Sequence, residues 1–230
     1  KANLFEGLDN VIEQYNPDMI GIATTCLVET IGEDLPMYLK EYLSKRNGQP
    51  TPPIVSVSTP SYAGTHAEGF RAAVTAIVSA LASDAGHGPA LALFPGFVSP
   101  ADIRHLAEIV EGMGIDGAVL PDYSQTMDGA PWPEYKKLQE GGTPVSLIRR
   151  LGSATASIEF NSTGLPELGP GAVLEKRFGI KSHILALPVG LRRTDAFIKL
   201  LKTEFDVEEP KWLKLEPQAA FGGIFVRKGR

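Results

Sequence analysis

The sequence of 230 residues contains a single cysteine, Cys26. That excludes an internal disulfide and any metal site assembled from several thiolates of these residues alone. A basic excess is missing too: 22 Lys+Arg stand against 27 Asp+Glu, for a formal net charge of −5. Proteins that bind nucleic acid or anionic membranes non-specifically need a positive field to draw phosphate, so the balance argues against both. No apolar run approaches the ~20 residues of a bilayer span, and no charged-then-apolar leader opens the sequence. The expected setting is cytoplasmic. There is no Walker loop, no G-x-G-x-x-G after a strand, and no G-x-S-x-G elbow.

What is present is the pattern of a folded α/β protein. Hydrophobic residues make up 43% and charged residues 21%, close to the average for a globular domain. The 24 glycines and 18 prolines exceed their usual ~12% combined share and predict short elements joined by tight turns. Apolar, β-rich runs at Asp18–Thr24, Ile54–Ser58, Ala90–Phe94, Gly117–Leu120, Ala156–Phe160 and Ile184–Leu187 do not alternate cleanly with polar residues. Strands buried on both faces read this way. Thr65–Ala82 carries Phe70, Val74, Ile77, Val78 and Leu81 on one stripe, and Ala101–Glu111 carries Ile103, Leu106, Ile109 and Val110 behind a cap at Ser99. Shorter helices are expected at Leu35–Leu43, Thr143–Leu151 and Thr194–Leu201.

The succession of strand and helix predicts Rossmann-like parallel sheets flanked by helices. The Gly/Pro-rich stretch Ser83–Pro89 divides the sequence into an incomplete first unit, residues 1–83, and a larger second unit, residues 90–204. Residues 205–230 read as an irregular tail.

In open α/β sheets, ligands gather beyond the carboxyl ends of strands. That rule selects Thr24–Cys26, Thr59–His66, Pro95–Phe97 and Pro121–Ser124. Cys26 at a helix start suits a nucleophile or metal ligand, but a lone thiol is also a small buried hydrophobe. Ser61 and His66 could form a hydrolase pair. Equally, Ser61 and Thr65 could cap the helix that follows, with His66 in its first turn. Asp34 reads as the cap of the Leu35 helix and complements its dipole. Asp122 and Asp128 read as turn residues. Gly141-Gly142-Thr143 is a helix lead-in that could hold an anion or be a plain turn.

Read together, these segments take on a further meaning. NPDMIGIATTCLVETIGEDL (Asn16–Leu35) and VSTPSYAGTHAEGF (Val57–Phe70) are followed by FPGFVSPADIRHL, LPDYSQTMDG, EGGTP and LPVGLRRTDAF. Across residues 1–204 the sequence resembles the β subunit of the nitrogenase molybdenum–iron protein family. The resemblance implies an α2β2 heterotetramer with a homologous α subunit and transient docking of the ATP-dependent iron protein. It also implies an [8Fe-7S] P-cluster shared between α and β, which relays electrons towards the cofactor that reduces dinitrogen. Cys26 matches one of three cysteine ligands given by β, and Ser61 matches the serine that joins an iron when the cluster is oxidised. Glu29, Thr30 and Ile31 match positions at the iron-protein docking surface. The other two cysteines implied for β are absent from these residues, so the ligand set is completed elsewhere. Two other readings share much of the pattern: the non-catalytic scaffold for cofactor assembly, and the β subunits of vanadium or iron-only nitrogenases. The scaffolds usually depart at T-P-S-x-x-G-[ST]-H, which is intact here.

Overall fold

Leu91–Phe94 (β3) and Ala156–Phe160 (β5) are buried along their whole lengths, which is why neither shows an alternating pattern. They pair in parallel at the centre of a four-stranded sheet ordered β4-β3-β5-β6, with Gly117–Val119 as β4 and Lys181–Leu185 as β6. Ile20–Thr24 (β1) and Ile54–Ser58 (β2) form a separate two-stranded parallel sheet. A computed structural model describes residues 1–129, 134–139 and 141–214. The expected class holds: parallel sheets flanked by helices.

The helices are Ala2–Tyr15 (α1), Cys26–Thr30 (α2), Leu35–Arg46 (α3), His66–Leu81 (α4), Pro100–Gly112 (α5), Ser124–Asp128 (α6), Val145–Arg149 (α7), Pro170–Phe178 (α8), Leu191–Phe205 (α9) and Lys211–Lys214 (α10). Short 3₁₀ turns occupy Arg150–Ser153 and Pro166–Leu168. Among the described residues, no helix is long and apolar enough to cross a membrane.

Local chemistry explains the main helix boundaries. The Thr65 hydroxyl accepts from the Glu68 amide at 3.3 Å and the Glu68 carboxylate accepts from the Thr65 amide at 2.6 Å, a reciprocal cap for α4. Ser99 and Asp102 do the same for α5, with Pro100 in its first turn. Asp34 caps α3 by accepting from the Met37 amide at 2.9 Å.

Both faces of the larger sheet are covered. On one face, Ile103, Leu106, Ile109 and Val110 of α5 and Phe197 and Leu201 of α9 pack on Leu91, Leu93, Ile158 and Phe160. On the other, Val74, Val78 and Leu81 of α4 and Leu174 of α8 pack on Ala92, Phe94 and Ala118, and the same cluster reaches Val55 of β2. The α4 helix thereby touches both sheets. The small sheet has its own core, Leu8, Ile20, Leu35, Leu39 and Tyr42.

Several elements differ from the sequence reading, which did not place α1, α6 or α10. The last strand begins at Lys181 rather than Ile184, because β6 lies at the sheet edge, where Glu204 of α9 takes the Lys181 ammonium at 2.6 Å and the His183 ring at 3.0 Å. The α8 helix was hidden by its Gly-Pro-Gly opening, which reads as a turn. There Gly171 is needed for close approach: a Cβ at this position would collide with Ser182 Oγ on β6. Finally, α9 starts three residues before Thr194 and runs to Phe205. Beyond it, Val207 and Leu213 pack against the α5/α9 core; of the irregular tail expected at 205–230, residues 215–230 lie outside the described residues.

Candidate functional site

The register Thr24↔Ser58 ends β1 and β2 side by side, so the residues that follow them emerge at one carboxyl edge. Two bonds clip the exits together: the Thr59 amide and Thr59 hydroxyl both donate to the Thr24 carbonyl, at 3.3 and 3.0 Å. Cys26 follows two residues after β1 and Ser61 three residues after β2. Both are exposed, and Cys26 is a free thiol. Its setting is therefore not that of a small buried hydrophobe. The helix that Cys26 opens is only five residues long, so few peptide dipoles align behind it.

Ser61 does not cap α4; Thr65 does. The Ala63 amide closes a turn on the Pro60 carbonyl at 3.1 Å, and Gly64 takes φ +85° to bring the chain into α4, a conformation that suits glycine. His66 packs edge-on against Phe97 with ring centroids 5.6 Å apart, and no hydrogen bond between it and Ser61 is formed.

Of the three expected docking residues, Thr30 and Ile31 lie at the surface, Ile31 at 62% exposure beside Leu27 at 67%. Glu29 is turned back. Its carboxylate accepts from the Thr24 hydroxyl and, across the sheet, from Ser58. These two hydroxyls, Ser58 foremost, hold the Glu29 carboxyl below the usual carboxylate range. A carboxylate with a lowered pKa steadies the folded form above its unfolded pKa and loses that contribution as pH falls through the folded value. The clip joining the Cys26 and Ser61 segments is accordingly expected to loosen in acid, as pH falls through the lowered Glu29 value, and at neutral pH in Glu29→Ala. Hydrogen-exchange protection at the Thr59 amide reads both effects. Protection unchanged in the variant would show that Glu29 does not brace the edge.

The two remaining segments meet at the carboxyl edge of the larger sheet. Tyr123 anchors the loop after β3 by accepting from the Val98 amide at 3.0 Å and donating to the Val98 carbonyl. Asp122 accepts from the Ser124 amide and hydroxyl, at 2.9 and 2.6 Å, as a turn residue does, whereas Asp128 forms an ion pair with Arg104. Thr143 of the glycine lead-in ties the β4 exit: its hydroxyl donates to the Val119 carbonyl at 2.6 Å and accepts from the Asp122 amide at 3.0 Å. That loop is a structural latch rather than an anion cradle.

Sequence reasoning missed the ion pair of Arg71 on α4 with Glu159 on β5. The only signal was a glutamate inside the apolar run ASIEF. Among the described residues, no group of three or more His, Cys, Asp or Glu side chains could hold a metal ion. Cys26 and Ser61 therefore offer one soft and one hard donor on an open edge. Such donors are of the kinds that an iron–sulfur cluster takes, and two of them fill only part of such a cluster's ligand set.

Comparison with known proteins bears on the family of the chain and on its fold. The sequence profile described as "Nitrogenase component 1 type Oxidoreductase" matches residues 1–224, extending past residue 204, where the motif resemblance fades. The nitrogenase molybdenum-iron protein beta chain of Clostridium pasteurianum is 33% identical over 216 residues, covering 94% of this chain and 47% of that protein. The nitrogenase iron-molybdenum cofactor biosynthesis protein NifN of Rippkaea orientalis is 30% identical over 199 residues, covering 82% of this chain and 42% of that protein. A solved structure, "Nitrogenase Cp1 at pH 6.5", superposes with a TM-score of 0.87 at 32% identity, covering 94% of this chain and 47% of that one. The chain thus spans about half the length of the relatives it matches. With the profile running over nearly all of its length, the chain belongs to the nitrogenase component 1 type oxidoreductase family.

Proposed function

We propose that these residues are a portion of a nitrogenase component 1 β subunit that supplies Cys26 and Ser61 to a P-cluster shared with a homologous α subunit. The observation that carries this reading is the emergence of both residues, exposed, from two strand ends clipped together. When bound, an [8Fe-7S] cluster supplies one-electron redox capacity. The protein's part is to present donors. With a cluster bound, the Cys26 thiolate, a soft donor, would hold iron in every oxidation state, whereas the Ser61 hydroxyl would serve as a hard alkoxide donor only on losing its proton. Ligation by Ser61 would then accompany oxidation and release the proton of its hydroxyl. Thr30 and Ile31 form the outer surface near Cys26, the position proposed for docking the iron protein in a cytoplasmic α2β2 assembly, with Glu29 bracing it from beneath.

A scaffold role in cofactor assembly is the second reading, favoured by the 30% identity to NifN. The intact Thr59-Pro60-Ser61 and Gly64-Thr65-His66 loop supports the β-subunit reading over it.

The test is Ser61→Ala in the full-length protein purified with its partner. Iron content is expected to stay normal while the potential of the most oxidised couple rises by tens of millivolts and loses its pH dependence. An unchanged, still pH-dependent potential would refute the role given to Ser61. Recovery of the protein only with a cofactor-assembly partner would favour the scaffold.

A further inference from the structure

The side-chain amide carbon of an asparagine is an electrophile that the backbone nitrogen of the next residue can attack. Attack needs that nitrogen to carry a proton it can lose, to be unhindered, and to be free to swing towards the side chain. The sequence has asparagines at positions 3, 10, 16, 47 and 161, and the structure closes this route at all but one. Asn3 and Asn10 lie within α1 and precede Leu4 and Val11, which pack against the small-sheet core. Asn16 precedes Pro17, whose nitrogen carries no proton. The Asn161 carboxamide is tied down: it accepts from the Thr163 and Gly164 amides at 3.2 and 2.8 Å and donates to the Gly164 carbonyl at 3.1 Å.

Asn47 is different. It ends α3 in the left-handed conformation, φ 39° and ψ 55°, and is followed by Gly48 at φ +85°. Both residues are exposed. Glycine gives the attacking nitrogen open surroundings and a flexible backbone, and a Cβ built on Gly48 would meet nothing within 4 Å. Among the described residues, no acceptor takes the Gly48 amide and no group binds the Asn47 carboxamide. One backbone bond closes the turn, from the Gln49 amide to the Arg46 carbonyl at 2.9 Å. Rotating the Gly48 nitrogen towards the Asn47 side chain therefore breaks that single bond, and it releases a left-handed conformation that a residue with a Cβ adopts at a cost. The Asp-Gly pairs have no such freedom. Gly117 is held in β4, and the Gly129 amide donates to the Gln125 carbonyl at 3.1 Å while Asp128 pairs with Arg104.

We propose that Asn47 is a site of spontaneous deamidation. The Gly48 nitrogen, its proton passed to water, bonds to Asn47 Cγ; the Cγ–Nδ2 bond breaks, and ammonia leaves with a proton taken from water. Water then opens the resulting succinimide. Addition at Cγ leaves aspartate, and addition at the backbone carbonyl leaves isoaspartate, with the chain running through the side-chain carbon. Water is the only co-reactant, and nothing is oxidised or reduced. Either product adds a negative charge at the carboxyl end of α3, where the helix dipole disfavours it. Isoaspartate also lengthens the backbone between α3 and β2, the strand that leads to Ser61. The proposal is independent of the function given to that serine.

The test incubates the complete chain for several weeks at neutral and at mildly alkaline pH, beside a free peptide of residues 44–50. Peptide mapping locates each ammonia loss, and methyl transfer by an isoaspartyl methyltransferase counts isoaspartate. Loss at Asn47 is expected to exceed that at any other asparagine by at least about tenfold, because glycine alone leaves the nitrogen unhindered. The rate is expected to rise with pH, since the attacking amide must lose its proton. Asn47→Gly, which the left-handed backbone accepts, is expected to abolish methyl acceptance. Asn47 intact after the peptide has reacted completely, faster loss at another asparagine, or methyl acceptance kept in Asn47→Gly would each overturn the proposal.

Discussion

Cys26→Ala in the full-length protein is expected to remove essentially all cluster iron while leaving the fold in place. The thiol is exposed and bonded to no other cysteine, so its loss costs less than about 0.5 kcal/mol of stability, as for other exposed positions. Helix α2 is held by other contacts: the Glu29 carboxylate on Thr24 and the Thr30 hydroxyl on the Cys26 carbonyl at 2.7 Å. Neither involves the sulfur. What the change removes is a soft anionic donor at a position where no neighbour can replace it, since the nearby donors are oxygens. Iron analysis and the spectrum of the oxidised cluster read the outcome. Wild-type iron in a folded Cys26→Ala protein would end the assignment of Cys26 as a ligand, and with it the proposed electron-relay role.

The largest stability effect is expected at Arg71. Its guanidinium is mostly buried and joins α4 to β5 and to the loop after β5 by way of Glu159, the Leu165 carbonyl and the Pro166 carbonyl. Arg71→Ala would strand a carboxylate that is 3% exposed with both oxygens unmet, and would release the loop carbonyls. Breaking a buried pair from one side costs about 3–5 kcal/mol, because the remaining charge stays desolvated. That is a large part of the stability of a domain this size. Replacing both partners by apolar residues of similar volume, Arg71→Met with Glu159→Leu, is expected to recover most of the loss, since no unpaired charge remains. Urea titration measures both. A loss below about 1 kcal/mol in Arg71→Ala would show that water reaches Glu159 and that the pair is not a buried one.

These two sites differ in how readable they were. The place of Cys26 at a strand end and helix start was legible because these features are adjacent in sequence, and the Thr59–His66 segment carried the same family motif. The Arg71–Glu159 pair joins residues 88 positions apart. Neither residue has a local signature, and only the packing of α4 across β5 brings them together. Glu29 is intermediate. Its motif placed it beside Cys26, but nothing in the spacing said that the carboxylate would turn inward to brace two strand ends.

Sequence by itself determined the six strands and the helices α3, α4, α5, α7 and α9 in their order, since apolar runs, apolar stripes and capping residues are local properties with fixed periods. It also carried the family motifs. Tertiary structure alone decided the order β4-β3-β5-β6, the exposure of Cys26 and the charge pairing of α4 with β5. The reason is physical: a period describes which face of an element is apolar, whereas strand order and side-chain partnership depend on which distant elements share that face.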